Sequence, residues 1–65
     1  MSEAKATERT VTAHAERVFG KRAATWLRRP SRALGGAAPL ALLDSEAGAK
    51  AVDDLLGRIE HGISA

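Results

Sequence analysis

The sequence predicts an all-α fold, a small bundle of about four short helices. Ala, Leu, Arg and Glu dominate, while Val, Ile, Thr, Phe and Trp are few. Apolar residues recur at helical spacing, and no useful run alternates polar with apolar. Glycines and prolines fall at the ends of these periodic stretches.

A first helix is expected from Glu3 or Glu8 to Phe19. Val11, Ala15, Val18 and Phe19 stand at i, i+4, i+7 and i+8 and share one face. Gly20 follows, where a left-handed residue would stop the helix. The residues before Val11 carry almost no apolar side chain beyond alanine, so residues 1–15 read as an N-terminal helical extension prone to fraying. A second helix spans Lys21 to Arg28 and places Ala23, Trp26 and Leu27 on one side. Pro30 disfavours helical geometry at Arg29 and ends it. Ser31 to Leu34 suits a single turn with Ser31 as its cap, and the Gly35-Gly36 pair breaks the chain again. A third helix starts at Pro39, whose missing N–H costs nothing at the first position. It carries Leu40, Leu42 and Leu43, and Ala38 before it is a poor cap.

Ser45 is a good N-cap for a fourth helix, Glu46 to His61, which Gly62 should stop. Its stripe of Ala51, Val52, Leu55, Leu56, Ile59 and Ile63 is the clearest in the chain. Asp54 and Arg58 form an i,i+4 pair on its surface. Gly57 inside the helix costs about 1 kcal/mol relative to alanine, which suggests close contact with another backbone, within the fold or across an interface. The expected core is Val18, Phe19, Trp26, Leu27, Leu34, Leu43, Val52, Leu55, Leu56 and Ile59. Residues 16–65 are read as one domain.

The chain has 65 residues and no cysteine. Disulfides and thiolate zinc sites are therefore excluded. A chain this short buries only about 60% of its unfolded surface, so it depends on tight helix packing or on association. No apolar run spans a bilayer, and Met1 to Ala6 has no apolar core of a secretory signal. A cytoplasmic protein is expected. Residues 1–32 hold eight Lys/Arg against three Glu, and residues 33–65 hold two against five acids. This asymmetry suits either a solvated surface or a partner, a nucleic acid or an acidic one.

Catalytic material is poor. Asp53 and Asp54 are adjacent and diverge by about 100° on a helix, so they cannot act as paired carboxylates. Glu60 and His61 diverge likewise. His14 and His61 have no second ligand at i+3 or i+4, and both are expected in solvent. Gly35-Gly36 lacks the Lys-Ser/Thr or the third spaced glycine of a phosphate loop. No enzyme, metal or cofactor is expected. The cluster Arg17, Lys21, Arg22, Arg28, Arg29 and Arg32 raises nucleic-acid binding as the alternative. Segment 21–28 is short for a recognition helix and meets Pro30 at once, which disfavours DNA binding by this chain alone. A dimerisation module, with Gly57 at a helix crossing, is a third reading.

An ordered set of motifs carries a family resemblance. It runs Val18-Phe19-Gly20, Ala24, Trp26-Leu27, Pro30-Ser31, Ala33-Leu34-Gly35-Gly36, Pro39-Leu40, Leu42-Leu43-Asp44, Gly48, Val52, Leu55-Leu56-Gly57-Arg58-Ile59 and Gly62. This resembles the toxin-binding domain of the Xre/MbcA/ParS antitoxins. Ser31 stands where the family often has Asn, and Ala38 where it often has Thr. The resemblance implies an antitoxin of a type II toxin–antitoxin system. Its implied partner is a RES-domain toxin that degrades NAD, with the antitoxin's C-terminal helices obstructing the toxin's active site. Carried onto this chain, the docking residues would be Arg58, His61, Gly62, Ile63, Ser64 and Ala65, with no NAD held by the chain itself.

Overall fold

Thr7 caps the first helix by a reciprocal exchange with Thr10. The Thr7 hydroxyl accepts from the Thr10 N–H at 3.2 Å, and the Thr10 hydroxyl accepts from the Thr7 N–H at 2.8 Å. Two donors that the first turn cannot satisfy are thereby bonded. Helix α1 follows at Glu8–Phe19. In this computed structural model residues 7–64 are described, with side chains through Gly62. The N-terminal extension expected at 1–15 thus lies partly outside the described residues. Its remainder contributes Val11 and Ala15, both fully buried.

Gly20 ends α1 with φ 60° and ψ −126°, and its N–H donates to the Glu16 carbonyl. The φ is positive, as expected of a stop, but the ψ lies outside the left-handed helical region. The chain turns rather than leaving the helical layer. A 3₁₀ turn, Gly20–Arg22, runs straight into helix α2, Ala23–Arg28. The helix expected over 21–28 is therefore a turn followed by six α-helical residues. Arg29 is extended, in keeping with Pro30 behind it.

Two further 3₁₀ turns follow, Arg32–Leu34 and Pro39–Leu42, with proline at the start of the second. The third of the four expected helices is thus a 3₁₀ turn. Ala38 offers no side-chain acceptor, so nothing offsets the loss of orphan N–H groups over so short a segment. Helix α3 spans Glu46–Ser64. The Ser45 hydroxyl accepts from the Gly48 N–H at 3.0 Å, as its cap position predicts. The fold is all-α: three α-helices joined by 3₁₀ turns.

Helix α1 packs against both α2 and α3, and the turn at Pro39–Leu42 closes the space between α2 and α3. The buried core is Val11, Ala15, Ala23, Leu27, Leu43, Ala49, Val52 and Leu56. Pro39 is buried with them. Val18, Phe19, Trp26, Leu34 and Leu42 are half-buried against this cluster. Phe19 and Trp26 meet with ring centroids 5.1 Å apart and planes tilted by 30°. They lie half-buried at the edge of the core, where the sequence placed both inside it. Among the described residues no polar or charged residue is buried.

The close backbone contact lies at Gly48. A Cβ at Gly48 would overlap the Leu42 carbonyl, so here the α3 backbone and the preceding turn are in close contact. A Cβ at Gly57 would meet nothing within 4 Å. The close approach expected within the fold at Gly57 is absent there. Gly62 does not stop α3 either, which continues to Ser64. Ala51, placed on the apolar stripe by sequence, is exposed. The inner face is instead centred on Ala49, Val52 and Leu56, at i, i+3 and i+7.

Candidate functional site

The chemistry-bearing residue that sequence reading missed is His14. It sits on α1 at i+3 from Val11 and one position before Ala15, so the helix turns it toward α3. Its side chain is 12% exposed. Nδ1 lies 2.7 Å from an Asp53 carboxylate oxygen, and Nε2 lies 2.8 Å from one of Glu60. Asp53 and Glu60 stand at i and i+7 on α3, about 10 Å apart along its axis and on one face. One imidazole therefore ties two turns of α3 to α1. The expectation that both histidines stand in solvent is corrected for His14, while His61 is exposed.

The electrostatics follow from this geometry. Hydrogen bonds to Asp53, and next to Glu60, raise the His14 pKa above its usual 6.5 against the opposing effect of burial. The bond from His14 holds Glu60 below its usual 4.5, with smaller help from the charges of His14, Arg17 and His61. Asp54 turns away from this site. Its carboxylate meets Lys50 at 3.4 Å rather than the expected Arg58, on the exposed side of α3.

The Gly35-Gly36 turn is closed on itself. Gly35 and Gly36 take φ 70° and 88°. The Gly35 N–H donates to Arg32 at 3.1 Å, and the Gly36 N–H donates to the Ser31 carbonyl at 2.8 Å. The Ser31 N–H in turn reaches the Ala37 carbonyl at 3.0 Å. The donors that a phosphate would need already have partners. Ser31 caps the turn through its backbone carbonyl, and its hydroxyl makes no capping bond, contrary to expectation. Arg17, Lys21, Arg22, Arg28, Arg29 and Arg32 are all exposed, but α2 has only six residues to present any of them.

On the far part of α3, Leu55 and Ile59, both expected in the core, are half-buried. They lie one turn apart. Arg58, His61 and Gly62 beside them are exposed. Of the other residues singled out from sequence for docking, the side chains of Ile63 and Ser64, and all of Ala65, lie outside the described residues. No helix among the described residues is long and apolar enough to cross a membrane.

Residues 14–62 match the family described as the antitoxin Xre/MbcA/ParS C-terminal toxin-binding domain. Over 42 residues the chain is 55% identical to a protein named Antitoxin Xre from Photorhabdus laumondii subsp. laumondii. It is 48% identical over 42 residues to an Antitoxin Xre from Yersinia enterocolitica. Each alignment covers 65% of this chain and 28% of the relative, so the chain matches only a minor part of these curated proteins. No solved structure matches it. The family match begins at His14 and runs through the far turns of α3, and by it the chain belongs to the Xre/MbcA/ParS antitoxin family as a C-terminal toxin-binding domain.

Proposed function

We propose that this chain neutralises a RES-type, NAD-degrading toxin in the cytoplasm by docking on it and blocking access to its active site. The family match over residues 14–62 carries this reading. The docking surface is the outer side and end of α3: Arg58, His61, Gly62, Ile63, Ser64 and Ala65, with Leu55 and Ile59 along its flank. Leu55 and Ile59 still expose apolar surface, and burying such surface on a partner is worth about 25 cal/mol per Å². Arg58 beside them supplies a cation for a partner carboxylate. The chain acts by occupying space, so it needs neither a nucleophile nor a cofactor. Binding also stabilises the small fold by mass action, because the toxin captures only its folded form.

Coexpression with a RES-domain toxin tests this through cellular NAD. The chain should preserve NAD, and Ile63→Asp or removal of residues 62–65 should let NAD fall. Circular dichroism should show the helical fold retained in both variants. Full protection by the shortened chain would remove the tail from the blocking surface. Failure of the intact chain to capture the toxin would overturn the choice of partner.

A further inference from the structure

We propose that His14 is a proton-operated latch between α1 and α3, bonded to both Asp53 and Glu60 when cationic and released from Glu60 when neutral. The argument is one of donor supply. Two carboxylates flank the ring, one on each nitrogen, at 2.7 and 2.8 Å. Carboxylates only accept, so both bonds require two N–H groups, and only the imidazolium has two. A neutral ring keeps one donor and turns a lone pair toward the other carboxylate. One arm must then open.

The geometry selects the Glu60 arm. Asp53 lies in the middle of α3, with helix on both sides, whereas Glu60 lies within the last five residues of Glu46–Ser64. Helix ends open at far lower cost than helix centres. The neutral ring therefore keeps its proton on Nδ1, facing Asp53. No charged group of segment 20–28 bears on His14, since Lys21, Arg22 and Arg28 all point to solvent. Arg17 on α1 and His61 on α3 act on Glu60, and both favour its charged form. Glu60 therefore stays an acceptor throughout the transition, and the proton leaves from Nε2.

Glu60 directly precedes His61 and Gly62. Resting on the docking surface proposed above, release of this arm loosens the segment that meets the toxin.

Nitrogen-15 NMR of the imidazole rings of the full chain, titrated from about pH 5 to about pH 9, tests the latch. The expected result is a His14 midpoint above 6.5, with the neutral form protonated at Nδ1. Amide exchange at residues 60–62, corrected for its intrinsic pH dependence, should quicken several-fold across the same midpoint. In Glu60→Gln the amide can accept from Nε2–H or donate to bare Nε2, so this step should vanish while the fold persists. A His14 midpoint at or below 6.5, a neutral form protonated at Nε2, or exchange that ignores the His14 transition would each overturn the latch. The latch is read on the free chain, so a titrating His14 in a chain that captures no toxin supports the latch and refutes the docking reading alone.

Discussion

At Gly48 the missing side chain is a packing requirement. A Cβ there would overlap the Leu42 carbonyl, which is backbone and cannot swing aside. Gly48→Ala should therefore cost about 1–3 kcal/mol, the usual range for overpacking. Gly57 is the counterpart, with open space where its Cβ would stand and ordinary helical geometry. Gly57→Ala should stabilise the chain by about 0.4–1 kcal/mol through reduced freedom of the unfolded state. Urea denaturation of the two variants checks both signs. Both glycines belong to the family-like motif set, and sequence spacing alone does not tell them apart. The inward course of His14 was open to reading, because Val11, His14, Ala15 and Val18 stand at i, i+3, i+4 and i+7. Spacing within α1 does not show its partners, because Arg17 and Val18 stand at i+3 and i+4 from it. Its partners come from 39 and 46 residues away.

Helix ends and the bridge between helices set stability at the level of elements. Helix α3 starts at a side-chain cap, the Ser45 hydroxyl on the Gly48 N–H. Ser45→Ala should lower stability by about 1 kcal/mol, readable as a lower urea midpoint at unchanged slope. The α1–α3 bridge adds a pH dependence. His14 is raised above 6.5, so its contribution is complete below 6.5 and is lost as pH rises through the folded value. Glu60 is lowered from 4.5, so its contribution is complete above 4.5 and is lost as pH falls through the folded value. The bridge is strongest between these limits. Thermal melts of the chain, compared with His14→Gln, should show the largest difference in mildly acidic solution and a shrinking one toward alkaline pH. A difference that stays constant across the range would contradict a titrating bridge.

The whole molecule is short of apolar material for the surface it must cover. Its buried core holds three alanines, and its two aromatic rings lie at the rim. Small side chains let the helices approach closely but bury little area each. Leu40 remains 42% exposed, and Leu55 and Ile59 are half-exposed along α3. A fold with this balance gains by association, which agrees with its membership of a toxin-binding family. In the basic stretch from Arg17 to Leu43 the longest complete α-helix has six residues, and the glycine-pair donors are bonded within the turn.

Sequence by itself determined the all-α class, the α1 end near Gly20, the break at Pro30, the start of α3 at Ser45 and the family. These are consequences of local preference and of the order of motifs, both of which the linear chain carries. The third dimension decided which turns are too short to be α-helices, and that Gly48 rather than Gly57 lies under a backbone. It also decided that Ala49, not Ala51, faces inward and that His14 reaches two carboxylates on another helix. Each of these depends on how α3 is rotated and placed against α1 and the Pro39–Leu42 turn. Helical periodicity defines a face only to within a residue or so, and it says nothing of which face of a distant helix will stand opposite.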